Sequence, residues 1–95
     1  MQHSVIHKYI VTPSPDVQEL QVPVNSFIVS AVAYGGQIAM YVLKHNPDQP
    51  FVNTLQYLVI GTGWSLPNEG NAQFVSTVKT GQFVWHLFTV TDLPF

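Results

Sequence analysis

The sequence predicts an all-β domain, an antiparallel β-sandwich or flattened barrel of about seven strands. Three observations predict it. Short apolar runs rich in valine, isoleucine, phenylalanine and tyrosine are separated by turn residues at roughly 8–12-residue intervals. No window carries a helical apolar stripe bounded by capping signals. Gly35-Gly36 stands between two such runs and supplies the positive φ angles of a two-residue hairpin turn.

The first strand is Val5–Val11, in which alternation sends His7 and Tyr9 to one face and Ile6, Lys8 and Ile10 to the other. Thr12-Pro13-Ser14-Pro15-Asp16 breaks it, because neither proline can donate to a ladder. Val17–Val22 is a short strand with one polar side, Val17, Glu19 and Gln21, and is stopped by Pro23. Both features mark an edge strand.

Phe27–Tyr34 and Gln37–Lys44 form the clearest hairpin. A two-residue turn sets Phe27 opposite Lys44, Val29 opposite Val42, Ala31 opposite Met40 and Ala33 opposite Ile38. Both hairpin faces are largely apolar, which predicts cover on both sides. The small alanines permit close approach of another layer or another subunit. His45–Asn53 is a loop, Leu55–Ile60 a strand leading into Gly61-Thr62-Gly63, and Trp64–Gln73 a long polar loop. Phe74–Lys79 and Gln82–Val90 close the chain as a hairpin around Thr80-Gly81, which sets Val75 opposite His86 and Phe74 opposite Leu87.

The 95 residues are read as one domain spanning 1–95. Only 8% of them are charged, against about 25% in typical domains. With 46% hydrophobic residues, much of the surface must be neutral or apolar, which favours a homo-oligomer. The formal net charge is −2, there is no arginine, and the lysines are Lys8, Lys44 and Lys79. So few cations argue against duplex nucleic acid, which needs many phosphate contacts. The chain has no cysteine, so disulfides, thiolate metal sites and cysteine nucleophiles are excluded. The segment MQHSVIHKYI lacks the pattern of a secretion signal, and no apolar run approaches the ~20 residues that span a bilayer. The expectation is a soluble, cytoplasmic protein without a membrane partner or cofactor.

Several motifs invite chemistry. Gly61-Thr62-Gly63 after a strand suggests an anion-binding concavity of backbone N–H groups, with a plain β-turn or bulge as the alternative. Leu66 occupies the position of the third glycine of a dinucleotide fingerprint, and no Gly-Lys-Ser/Thr follows. His3 and His7 lie roughly 13 Å apart on a strand, too far for one metal ion. Lys8 reads as a rim residue and Tyr9 as a buried ring with a bonded hydroxyl, alongside a ligand-contact reading for both. His86 shares a face with Val84 and Phe88, and Trp85 lies on the other. Trp85 is expected in the core. His86 is either a neutral hydrogen-bonded core residue or part of a site. The acids Asp16, Glu19, Asp48, Glu69 and Asp92 form no catalytic pair, and Gly63-Trp64-Ser65-Leu66-Pro67 lacks the second glycine of a nucleophile elbow. No catalytic residue is assigned, and an enzyme is not expected.

Ile6-His7-Lys8-Tyr9, Gln21-Val22-Pro23, Ile60-Gly61-Thr62-Gly63 and Val84-Trp85-His86-Leu87-Phe88 occur in that order. This ordered set resembles a family of small phage and prophage proteins without an assigned biochemical function. The chain departs from that pattern where Trp64 stands in place of a histidine after the glycine turn, and where Ala39-Met40-Tyr41 replaces a segment containing tryptophan. The resemblance implies a phage accessory protein in the host bacterial cytoplasm, with a pocket drawn from His7, Lys8, Tyr9, Thr62 and His86. Added to the glycine turn and Trp64, these give the expected ligand-binding set of His7, Lys8, Tyr9, Gly61, Thr62, Gly63, Trp64 and His86. The expected function is a non-catalytic, oligomeric binding module that sequesters a small nucleotide-derived immune signal. Inhibition of a host protein, or a minor virion or assembly role, stands as the alternative.

Overall fold

Each apolar run folds into a strand. The computed structural model describes residues 3–67 and 71–91. The strands are β1 (Ser4–Val11), β2 (Ser14–Val22), β3 (Ser26–Tyr34), β4 (Gln37–His45), β5 (Asn53–Gly61), β6 (Ala72–Thr80) and β7 (Phe83–Val90). All pairings are antiparallel. β1-β4-β3 make one sheet and β2-β5-β7-β6 the other. The result is a two-sheet sandwich with no closed barrel. Among the described residues no helix is long and apolar enough to cross a membrane. Glu69 and Asp92, named above among the acids, lie outside the described residues.

Alternation explains the core. Val11 and Tyr9 from β1, Ile38, Met40 and Val42 from β4, Val59 from β5 and Leu87 from β7 point between the sheets. A second, smaller cluster lies on the outer face of the four-stranded sheet. Leu58, Ile60 and Val90 are buried there beneath Val17, Leu66 and Phe88. β7 is an inner strand with apolar contacts on both faces, as its bulky alternation predicts.

The Gly35-Gly36 turn holds, with φ of 57° and 81°, and Ala31 pairs with Met40 and Ala33 with Ile38. A bulge between Ile28 and Ser30 then shifts the register. Val42 therefore meets Ile28 rather than Val29, and Lys44 meets Ser26 rather than Phe27. The second hairpin turns at Gly81-Gln82, not Thr80-Gly81, since Thr80 pairs with Phe83. His86 consequently faces Thr77 rather than Val75. The same turn sets Leu87 opposite Ser76, and a bulge between Phe74 and Ser76 then sets Phe74 opposite Phe88. β2 starts earlier than expected, at Ser14. Its first residues run through a register shift before Gln18, and an edge strand at a bulge tolerates Pro15.

β3 and β6, each the edge of its own sheet, lie against one another. The Ser76 hydroxyl donates to the Ala31 carbonyl at 2.9 Å, where the short alanine side chain lets the layers approach.

Candidate functional site

The glycine segment lies where β5 ends. Gly61 is still strand and pairs with Trp85, and Thr62-Gly63 makes the turn. A Cβ on Gly61 would sit 2.9 Å from Trp64 Nε1 and 3.1 Å from Trp85 Cζ3. Glycine is needed here because two indoles close over the backbone. Trp64 meets Trp85 edge-on, with ring centroids 5.8 Å apart at 77°. Phe83 stacks on the other neighbour, 5.8 Å from Trp85 at 23°. The Trp85 indole N–H donates to the Thr80 hydroxyl at 2.8 Å. The aromatic trio thus has a fixed inner member, Trp85, and a 43% exposed outer member, Trp64.

A cleft of about 470 Å³ opens at this corner, lined by Gly61, Thr62, Trp64, Phe83, Val84 and Trp85 among others. Behind it, His86 bridges two threonines. Its Nε2 lies 2.8 Å from Thr62 Oγ1 and its Nδ1 3.1 Å from Thr77 Oγ1. In a neutral imidazole one nitrogen donates and the other accepts, so this arrangement holds both hydroxyls in place. Lys79 pairs with Val84 two residues along from Thr77, on the same face as Thr77 and His86. That face is the one opposite Trp85, so Lys79 does not line the cleft; the lining residue that sequence reading missed is Phe83, which stacks on Trp85.

The Thr62 N–H donates to the Val84 carbonyl at 3.2 Å and the Trp64 N–H to the Gly61 carbonyl at 3.1 Å. These two amides are engaged within the fold.

The predicted ligand set therefore divides. Gly61, Thr62, Gly63, Trp64 and His86 come together at this corner. His7, Lys8 and Tyr9 lie on β1, in the other sheet. His7 is exposed near that sheet's edge. Lys8 points outward, its ammonium 3.7 Å above the Tyr34 ring. Tyr9 points inward and accepts a hydrogen bond from the Lys44 ammonium. Within one chain Lys8 and Tyr9 cannot join Trp64 around a ligand, because strand alternation and the two-sheet topology send them apart. Among the described residues no cluster of three His, Asp or Glu side chains has the arrangement to hold a metal.

Two tyrosines respond to their surroundings in opposite directions. The Lys8 hydrogen bond and charge pull the exposed Tyr34 hydroxyl below the usual phenol range. Burial holds Tyr57 above it. A raised folded-state pKa means the native chain keeps a proton that the unfolded chain releases. The Tyr57 contribution is therefore complete below about pH 10 and is lost as pH rises through the raised value. Tyr57→Phe is expected to move alkaline unfolding to higher pH. Tyr34→Phe is expected to remove a tyrosinate signal that develops below the usual phenol range in an ultraviolet absorbance titration.

A model of a family described as a domain of unknown function (DUF7352) matches residues 2–94. No curated protein and no solved structure matches the chain.

Proposed function

We propose that the chain, which belongs to the DUF7352 family of domains of unknown function, is a non-catalytic binding module for a small, planar, nucleotide-like ligand. The observation that carries this reading is the half-open Trp64 ring, braced by Trp85 over Gly61 at the mouth of the cleft. A base stacks on such a ring, and base–aromatic stacking contributes about 1–3 kcal/mol. The Thr62 hydroxyl, at the lining of the cleft, offers a hydrogen bond to a sugar. His86 has both ring nitrogens in hydrogen bonds to threonines, which favours positioning over proton transfer.

The ordered motifs that resemble small phage proteins support a narrower form of the same proposal. The chain is then a phage-encoded accessory protein in the host bacterial cytoplasm, and its ligand is a nucleotide-derived immune signal that it sequesters. Thermal unfolding with a panel of cyclic nucleotides and cyclic ADP-ribose isomers tests the proposal. A true ligand at 100 times its dissociation constant is expected to add about 2.7 kcal/mol. Trp64→Ala is expected to abolish that response with little change in the unliganded midpoint. A panel that leaves the wild-type midpoint unmoved at millimolar ligand overturns the reading.

A further inference from the structure

The outer face of the β1-β4-β3 sheet lacks the second cluster that covers the four-stranded sheet. Ile6 is 59% exposed and Phe27 53%, and Ile10, Val32 and Tyr34 are also open. Register places all five on one side of the sheet, around Ala39 at its centre. Ala39 itself is fully buried by its neighbours, so the middle of the face is shallow. Lys8 is the one charged side chain that register puts there, and it stands on the edge strand with its ammonium over the Tyr34 ring. At one end Ser4 and His45 are hydrogen-bonded at 2.7 Å and form a polar margin.

We propose that this face is a two-fold interface between copies of the chain. The five open side chains expose roughly 500 Å², more than a scattered surface hydrophobe needs explained and within the range of a functional patch. Half-buried Tyr41 and Leu43 and exposed Lys8 bring the face toward the ~600 Å² per partner at which specific interfaces begin. An apolar centre within a polar margin is the anatomy of such an interface. The partner must itself present a broad, flat, nearly uncharged sheet, because among the described residues the face carries no carboxylate to meet a basic partner and only one cation to meet an acidic one. A second copy of this sheet meets those conditions, and two twisted sheets stack about 10 Å apart with aligned strands. The proposal stands independently of the ligand corner, which lies at the end of the other sheet.

Sedimentation equilibrium tests it. The wild-type chain is expected at twice the monomer mass. Ile6→Lys and Val32→Lys, each an exposed position, are expected to weaken the dimer at least tenfold with an unchanged circular dichroism spectrum. The milder Ile6→Thr, which keeps a β-branched residue on the strand, is expected to weaken it in the same direction. Phe74→Lys, on the outer face of the four-stranded sheet, is expected to leave the dimer intact. A wild-type chain that stays monomeric at hundreds of micromolar overturns the proposal. So does a dimer that survives both lysine variants, or one that only Phe74→Lys breaks. A monomer whose lysine variants lose affinity for a different protein makes this a hetero-interface and equally overturns it. The ligand response of Ile6→Lys is measured in parallel, so loss of dimer and loss of ligand binding are read separately.

Discussion

Trp85→Ala is expected to lose about 3 kcal/mol of stability, at the lower end of the range for truncating a tryptophan. The indole packs against the inter-sheet core, stacks on Phe83, braces Trp64 and donates to Thr80. Its partial exposure keeps the loss from being larger. A small domain has only about 5–15 kcal/mol to lose, so the variant should unfold at a much lower urea concentration with an unchanged slope. His86→Gln is the informative partner. It keeps hydrogen-bonding capacity on the outer face, and its expected loss is within about 1 kcal/mol. A large stability loss in His86→Gln with unchanged ligand response would make His86 a packing residue instead. Trp85 and His86 are one residue apart, and the alternation of a strand gives them these separate roles.

Replacing Lys44 by methionine is expected to stabilise the fold. Lys44 is 1% exposed, and the oxygen that accepts its hydrogen bond is the Tyr9 hydroxyl, not a carboxylate. The rings of Tyr9 and Phe51, with centroids 5.1 and 4.9 Å from Nζ, give the ammonium partial compensation. Dehydrating a cation still costs several kcal/mol, and well-packed apolar replacements of buried charges commonly gain about 1–4 kcal/mol. Methionine keeps the unbranched shape and removes the charge. Tyr9→Phe does the opposite. It leaves the ammonium in place without its acceptor, and the expected loss is about 1–3 kcal/mol. Combining the two changes should recover most of that loss, a coupling that a double-mutant cycle measures directly. A shift of 1 kcal/mol moves the thermal midpoint of a domain this size by about 4–8 °C, so each arm is resolvable. A Lys44→Met chain less stable than the wild type by more than 1 kcal/mol would show that the aromatic box repays the burial.

The strand count, the Gly35-Gly36 hairpin and the opposed faces of Trp85 and His86 were legible in the sequence. Each follows from local periodicity or from a residue whose backbone freedom is distinctive. The bulges at Val29 and Val75 were not, because neither carries a glycine or any other local mark. They answer to the packing of β3 against β6, which joins residues far apart in the chain. The sequence placed Lys44 only as the residue opposite Phe27, because its burial depends on Tyr9, 35 positions away. The candidate corner was half visible. Gly61, Thr62, Trp64 and His86 stood out by type, whereas Phe83, which lines the cleft and stacks on Trp85, did not. His7, Lys8 and Tyr9 are adjacent in sequence and yet serve opposite sides of a sheet.

The placement of the bulges has a consequence for how the chain behaves in a crowd. A sheet edge is a template for a further strand from any passing chain. β3 and β6 block one another, and β2 is broken by its bulge and by Pro15. Among the described residues β1 alone runs in unbroken register, from Ser4 to Val11, with one side unpaired. Among the described strands fibril-like growth therefore has one starting rail, and Lys8 is the residue that guards it.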